Sequence, residues 1–188
     1  MLAVKFYEDV KDELLRFAVV IAKHDGKWVF CKHKERETLE FPGGHRETGE
    51  LILETAKREL MEETGAVKFE IRPICVYSVT GKTRVNETGE ESFGGLFYAE
   101  IASFGEIHSE MEKIVLCDAL PENQTYPEIQ PALFERGGKT GVRRINGHKE
   151  KHAEHENLRA FCVYCIDLKR RGVFSFSVCF FQRGWRAL

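Results

Sequence analysis

Residues 41–66 read FPGGHRETGELILETAKRELMEETGA and join a glycine-containing loop to a crowded set of acidic side chains. Apolar residues recur at helical spacing after the loop, and a glycine at position 65 is a natural helix terminator. The stretch therefore predicts one amphipathic helix over about residues 51–63. A helix advances by about 100° per residue, so three carboxylates project from one face. They are Glu59, Glu62 and Glu63.

Carboxylates at this spacing repel one another, so the cluster predicts a compensating cation. Mg²⁺ prefers carboxylates, carbonyls and water as ligands and usually completes its shell with substrate phosphates. Gly43 and Gly44 let the backbone approach closely and leave carbonyl oxygens available, and Glu50 offers a further oxygen ligand. Arg58 is placed to pair with a carboxylate and orient it. The alternative is a solvated acidic helix face, which is common in soluble proteins.

The spacing of the whole stretch favours the metal site. Gly44 is followed after five residues by Glu50 and after seven more by RELMEETGA over residues 58–66, which matches the Nudix box at every fixed position. Ala66 is small where a larger aliphatic residue is usual. From about Phe17 to Glu135 the chain resembles a Nudix hydrolase. The resemblance implies a mixed sheet sandwiched by helices, and hydrolysis of a nucleoside diphosphate linked to another group.

The resemblance also assigns roles to residues of the box. It implies Mg²⁺, or Mn²⁺ as an alternative, bound by Glu59, Glu62, Glu63 and the carbonyl of Gly43. Catalysis is expected from Glu59, Arg58 and Glu62, with Gly44 and Glu50 in support. Glu59 is the first candidate for the base that accepts a proton from water. Some family members use a glutamate of a later loop, where this chain carries Glu106, Glu110 and Glu112.

The segment before and through the box is most similar to bacterial mutator-type 8-oxo-dGTP diphosphatases. The expected reaction releases a nucleoside monophosphate and pyrophosphate. Two alternatives stay open: removal of pyrophosphate from RNA 5′ ends, and a non-catalytic nucleotide sensor. Candidate substrate contacts are Phe41, Lys32, Asn123 and Tyr126. The plainer interpretation makes Phe41 a core residue, Asn123 a turn residue and Lys32 a solvated one.

Strand-like segments surround the predicted helix. Two apolar runs flank Asp25-Gly26, which is a strong hairpin signal. Three further runs follow the helix, at about residues 67–81, 91–101 and 110–121, and YPEIQPALFER at 126–136 predicts a terminal helix. This order predicts an α+β class, a mixed α/β sandwich.

The charge distribution suggests a boundary near residue 136. The chain has a net charge of −2, yet residues 137–188 carry eleven Lys/Arg against four Asp/Glu. We therefore expect a Nudix domain over 1–136 and a basic extension over 137–188, made of a linker and a β-hairpin. His148, His152 and His155 precede Cys162 and Cys165, a set that could bind a metal, although buried cysteines beside a polar loop are the simpler interpretation.

The remaining composition predicts a protein of the cytoplasm. The longest apolar runs are too short to span a bilayer, and no basic-then-apolar leader opens the sequence. The six cysteines lie in apolar stretches, as expected of reduced, buried thiols. We expect a nucleotide as the small-molecule partner, an RNA 5′ end as the alternative, no membrane, and a monomer or homodimer.

Overall fold

The computed structural model describes residues 2–83 and 86–142, which form a mixed sheet with a helix on each face. The strands are β1 (Ala3–Tyr7), β2 (Leu15–His24), β3 (Lys27–His33), β4 (Leu39–Glu40), β5 (Gly43–His45), β6 (Ala66–Thr80), β7 (Ser92–Phe104) and β8 (Met111–Cys117). The helices are α1 (Ile52–Thr64) and α2 (Gln130–Val142), with a 3₁₀ turn at Asp12–Leu14.

The strands follow the order β1-β6-β7-β2-β3-β4, with β5 pairing on β2 and β8 on β3. The β2–β7 pair is parallel and the other recorded pairs are antiparallel. A mixed sheet between two helices confirms the α+β class that the sequence predicts.

Alternation along the central strands builds a separate core on each face of the sheet. Successive strand side chains point to opposite faces. In β2, Val20 and Ala22 join the cluster that contains Ala56 and Leu60 of α1, whereas Ile21 joins the cluster that contains Leu133 of α2. Both helices are therefore held by apolar burial, and α1 carries its carboxylates on a helix fixed against the sheet.

The predicted hairpin and helix end are confirmed. Asp25 and Gly26 connect β2 to β3 with φ of 48° and 80°, the two positive values that a type I′ turn requires. Gly65 ends α1 in the left-handed region, at φ 71°, and its N–H donates to the Met61 carbonyl at 2.9 Å.

Helix α2 differs from its prediction at both ends. It begins at Gln130, and it continues through Gly137 and Gly138 to Val142 instead of ending near residue 136. A Cβ on Gly137 would lie 2.7 Å from Cγ1 of Ile21. The glycine that looks like the start of a linker is thus a close-packing position of a helix that lies against the sheet.

Three strands carry too little sequence signal to be predicted. β4 and β5 have two and three residues, and β1 precedes the segment that resembles the family. The predicted β-hairpin and the histidine–cysteine set of residues 148–165 lie outside the described residues, so these remain predictions. None of the helices in the described ranges has the length and apolar character needed to cross a membrane.

Candidate active site

Arg58, near the middle of α1, ties together three carboxylates of the 41–66 stretch. Its Nε donates to Glu50 Oε1 at 2.7 Å, and its Nη1 donates to Glu59 Oε1 at 2.8 Å and to Glu62 Oε2 at 3.1 Å. Nη2 donates to the His45 carbonyl at 3.0 Å. The hydrogen bonds to Glu50 and Glu59 hold the pKa of Arg58 above its ordinary value, so its positive charge is secure.

Glu50 is the carboxylate that Arg58 binds through two hydrogen bonds. It accepts two hydrogen bonds from Arg58, one from Thr55 Oγ1 at 2.9 Å and one from the Glu47 N–H at 3.1 Å. These bonds, with that of Arg58 first, lower the pKa of Glu50 to about 2. Glu50 therefore acts here as the anchor of the arginine and of the loop that leads into α1.

Glu59 lies under the glycine loop. A Cβ on Gly44 would fall 2.3 Å from Glu59 Oε1, so a side chain at position 44 would occupy the space of the carboxylate. Glu59 is buried, and desolvation raises its pKa despite the hydrogen bond from Arg58. The structure thus explains why glycine at 44 and glutamate at 59 occur together.

Glu63 is more deeply buried than Glu59 and Glu62, with 5% of its surface exposed. Its Oε2 accepts a hydrogen bond from the Gly43 N–H at 2.8 Å. Burial, reinforced by the charges of Glu59, Glu40 and Glu110, nevertheless raises the pKa of Glu63 to about 9. A carboxylate in this position is ionised at neutral pH when a cation lies beside it.

The donor set fits a hard divalent cation. Glu59, Glu62 and Glu63 supply oxygens from one helix, and two of the three are buried where negative charge is unfavourable without a cation. Arg58 holds Glu59 and Glu62 in this arrangement, and within residues 2–83 and 86–142 no three acidic, histidine or cysteine side chains already converge as a metal cluster. Binding of an ion therefore requires the carboxylate groups to move closer together than they lie in this structure.

The three glutamates of the later loop have different surroundings. The charge of Glu110 contributes to the raised pKa values of Glu59 and Glu63, so its carboxylate is close enough to the cluster to act on it. Glu112 instead accepts a hydrogen bond from Lys32 Nζ at 2.6 Å. The negative charge of Glu110 thus disfavours ionisation of Glu59 and Glu63 when no cation is bound.

A pocket of about 180 Å³ adjoins the glycine loop on the α2 side of the sheet. Gly43 and Gly44 form one part of its wall, so the same two residues contact the pocket and the acidic cluster. Phe17 and Tyr77 line it from the sheet, and Gln130 from the first turn of α2. The pocket and the carboxylates are thus neighbouring parts of one candidate site.

Two of the four predicted substrate contacts line this pocket. Phe41 is both a pocket residue and a core residue, since its ring packs 4.9 Å from that of Phe30 and stacks on Phe134. Tyr126 lines the pocket where the chain enters α2.

The other two predicted contacts do not line it. Asn123 Nδ2 donates to the Glu37 carbonyl at 2.8 Å, which is the turn role that the sequence allowed as the alternative. Lys32 is buried and its ammonium is shared by Glu112 and Glu37, at 2.6 and 3.2 Å. The hydrogen bond to Glu112 raises the pKa of Lys32, so its charge is engaged within the protein.

Sequence reasoning did not single out Gln130, Tyr77 or Phe17 as pocket residues. Gln130 had a detectable signal, because it is a polar residue beside Ile129 and three positions before Leu133 on the apolar side of α2. Tyr77 and Phe17 have no comparable signal, since an aromatic residue in a strand is most often part of a core.

Comparison with known proteins gives matches at the level of family, sequence and structure. A model of the NUDIX domain matches residues 13–117. Over 106 residues the chain is 35% identical to YtkD of Bacillus subtilis (strain 168), which is provisionally assigned as an 8-oxo-dGTP diphosphatase. That match covers 55% of this chain and 63% of YtkD, so the chain spans less than two thirds of this relative.

Solved structures resemble the chain over a longer range. The crystal structure of the B. subtilis pyrophosphohydrolase BsRppH matches with a TM-score of 0.60 and 26% identity, covering 74% of this chain and 92% of that one. A NUDIX hydrolase from Nitrosomonas europaea matches with a TM-score of 0.54 and 20% identity, over 72% of this chain and 97% of that one, which is a likeness of fold.

Proposed function

The chain belongs to the NUDIX family, and from that premise we propose that it hydrolyses the phosphoanhydride bond between the α- and β-phosphates of a purine nucleoside triphosphate, in the presence of Mg²⁺. Water adds to phosphorus, the anhydride bond breaks, and the products are a nucleoside monophosphate and pyrophosphate. The proton of the water passes to a carboxylate of the protein.

One observation carries the proposal. The carboxylates Glu59 and Glu63 and the base-sized pocket meet at the same two residues, Gly43 and Gly44. A nucleotide with its base in the pocket would lead its phosphates past these glycines to the acidic cluster. The glycine loop therefore joins recognition of the base to cleavage of the phosphates.

The chain's own residues have separable tasks in this scheme. Glu59, Glu62 and Glu63 would hold Mg²⁺, which supplies neutralisation of phosphate charge and a water of lowered pKa. Arg58 holds two of these side chains on one side and Glu50 on the other, so it orients the cluster. The Gly43 N–H fixes the direction of the Glu63 carboxylate.

The proton acceptor is assigned to Glu59 or Glu110. Both carboxylates interact electrostatically with the cluster, and Glu59 lies directly beneath the glycine loop. Glu112 is engaged by Lys32, which makes it a less suitable base.

The substrate proposed first is 8-oxo-dGTP or a related purine nucleotide. The 35% identity to YtkD and the aromatic lining of the pocket, from Phe17, Phe41 and Tyr77, support a purine. The second candidate is the 5′ end of an RNA. It is favoured by the eleven Lys/Arg of residues 137–188, because a basic segment suits a chain of trailing phosphates.

The function is tested by Glu62→Gln, which keeps the size of the side chain and removes its charge. We expect turnover of 8-oxo-dGTP and dGTP, in excess Mg²⁺ with pyrophosphate detection, to fall by about 100-fold or more. Loss of even an outer partner of a bound metal typically costs 10–100-fold. Glu54→Gln is the matched control, because Glu54 is an exposed glutamate of the same helix that Arg58 does not hold.

Turnover near the wild-type rate in Glu62→Gln would overturn the assignment of the metal site. If the unmodified protein binds nucleotides and releases no phosphate with any divalent cation, the non-catalytic alternative replaces the proposed hydrolysis. A panel containing 8-oxo-dGTP, the four dNTPs and a triphosphorylated RNA oligonucleotide then ranks the substrates.

A further inference from the structure

A buried amide of α2 has no partner for its donor group. Gln130 has 2% of its surface exposed, and its Nε2 forms no hydrogen bond with any of the described residues. Leaving a buried donor unpaired costs about 1–3 kcal/mol, so such groups are rare in folded proteins and call for an explanation.

The orientation of this amide is fixed by the main chain. Gln130 Oε1 accepts a hydrogen bond from the Tyr126 N–H at 2.9 Å, which is one of the main-chain donors at the start of the helix. Because the Tyr126 N–H is a donor, it must face the amide oxygen of Gln130, and the amide nitrogen therefore points away from Tyr126. Gln130 lines the pocket, so the residue that carries this unpaired donor belongs to the pocket wall.

Two other polar residues that line the pocket already have hydrogen-bond partners. Glu40 also lines the pocket, but both of its carboxylate oxygens accept hydrogen bonds from Arg36, at 3.1 and 3.2 Å. Asn86 is held within its own loop, where it donates to the Glu90 carbonyl at 2.8 Å and accepts from the Gly89 N–H at 3.0 Å. Ile129 and Leu133 add apolar side chains to the wall of the same pocket.

We propose that Gln130 Nε2 donates a hydrogen bond to an exocyclic carbonyl oxygen of the base, and that the pocket thereby selects 6-oxo purines over 6-amino purines. This inference rests on the proposed function for its ligand. The sugar and phosphates leave the pocket toward Gly43 and Gly44, so the base edge remote from the sugar faces α2. In a purine that edge carries the group on carbon 6.

The chemical reason for selection is the match of donor and acceptor. The exocyclic group projects furthest from the ring and reaches the wall of the pocket first. A carbonyl there accepts from Nε2, whereas an amino group presents hydrogens to a donor and leaves both groups unpaired. A site built to hydrogen-bond a ligand group discriminates strongly against ligands that leave its buried polar atoms unpaired.

The experiment uses the full chain and Gln130→Glu. A glutamate keeps the oxygen that accepts from the Tyr126 N–H and replaces the donor with an acceptor. Calorimetric binding of dGMP and dAMP without metal measures recognition apart from catalysis. We expect the wild type to bind dGMP about 10-fold more tightly than dAMP, and Gln130→Glu to remove or reverse that ratio.

Two further variants control for a purely structural effect. Gln130→Met has similar length and no polar group, and it should lose the preference for dGMP without gaining one for dAMP. Gln124→Leu removes an amide from a glutamine that does not line the pocket, and it should retain the wild-type ratio. If Gln130→Glu does not fold, as judged by circular dichroism, Gln130→Met supplies the test.

The outcomes separate this proposal from the proposed function. An unchanged dGMP-to-dAMP ratio in both Gln130 variants overturns the role of Gln130, even if the protein hydrolyses nucleoside triphosphates. If the Gln130 variants lose the preference for dGMP over dAMP but the wild type hydrolyses no nucleoside triphosphate, the role of Gln130 is supported and the proposed hydrolase activity is overturned. Failure of the wild type to bind either monophosphate overturns the recognition proposal.

Discussion

At the scale of single residues, the site could be predicted where its parts are close in the sequence. Gly44, Arg58 and Glu59 lie within 16 positions of one another, so their spacing in the sequence was enough to predict that they belong to one site. In the structure Gly44 packs against the Glu59 carboxylate, and Arg58 donates a hydrogen bond to it. Gln130 is far from them in the chain. It lines the same pocket as Gly43 and Gly44 because of the way α2 packs on the sheet, and that packing cannot be inferred from spacing along the sequence.

The contribution of Glu50 to the stability of the folded protein should depend on pH. Its pKa in the folded protein is about 2, below the ordinary value of 4.5, so the folded state binds fewer protons than the unfolded chain in this interval. The stability that Glu50 contributes is therefore complete above about pH 4.5 and is lost as the pH falls toward 2.

We expect Glu50→Gln to lower the free energy of unfolding at pH 7 by about 1–2 kcal/mol, since charge-assisted hydrogen bonds to Arg58 are replaced and the site is partly solvated. Urea unfolding of the variant and the wild type at pH 7 and pH 3 measures the difference, which should shrink at the lower pH. Glu70→Gln, at an exposed position of β6, serves as the control. A difference that is the same at both pH values would show that the carboxylate charge is not what stabilises the loop.

At the scale of elements, prediction succeeded where a pattern was long and failed where it was short. Helix α1 follows from its helical periodicity, and the long strands β6 and β7 follow from extended runs of β-branched and aromatic residues. β4 and β5 have too few residues to show alternation, although β5 supplies the glycine loop of the site. The end of α2 was placed too early because two consecutive glycines usually mark a helix end.

Substituting alanine for each of two neighbouring glycines of α2 should change the stability of the protein in opposite directions. Alanine favours a helix over glycine by about 1 kcal/mol. At Gly138 the added Cβ would lie 3.9 Å from the Trp28 ring, an ordinary contact, so Gly138→Ala should stabilise the protein by about 0.5–1 kcal/mol. At Gly137 the Cβ would lie 2.7 Å from Cγ1 of the fully buried Ile21.

Overpacking of this kind costs about 1–3 kcal/mol, which exceeds the gain in helix propensity. Gly137→Ala should therefore destabilise the protein by roughly 1–2 kcal/mol. Chemical denaturation of both variants and the wild type under the same conditions measures the two changes in the free energy of unfolding. If Gly137→Ala is as stable as Gly138→Ala, the C-terminal turns of α2 do not pack against β2.

At the scale of the whole molecule, charge divides the sequence more sharply than the net value of −2 suggests. Residues 143–188 carry ten Lys/Arg and four Asp/Glu, whereas the acidic residues concentrate in the segment that forms the sheet and helices. The asymmetry is evident from the sequence, but the sequence does not show which role the basic segment has. A basic segment could bind the phosphates of an RNA or could neutralise the acidic domain, and the two roles differ in their response to salt.

Truncation after Val142 tests those roles, and this end point keeps α2 intact where an earlier one would remove its packing on Ile21. We expect hydrolysis of free nucleoside triphosphates to be largely retained, because the acidic cluster and the pocket lie within the described residues. Solubility or oligomeric state should change, since residues 172–181 read GVFSFSVCFF and so apolar a run needs a partner surface. Analytical ultracentrifugation and kcat/KM on dGTP measure both effects.

The same truncation distinguishes an RNA-binding extension from one that neutralises the acidic domain. If the extension binds RNA, kcat/KM on a triphosphorylated RNA falls selectively when residues 143–188 are removed. The slope of log kcat/KM against log salt then becomes shallower by about 0.7 for each phosphate that the extension no longer neutralises. If the extension only neutralises the domain, activity on RNA and on dGTP changes by the same factor. If truncation abolishes hydrolysis of dGTP in a folded protein, the extension belongs to the active site and the domain boundary is wrong.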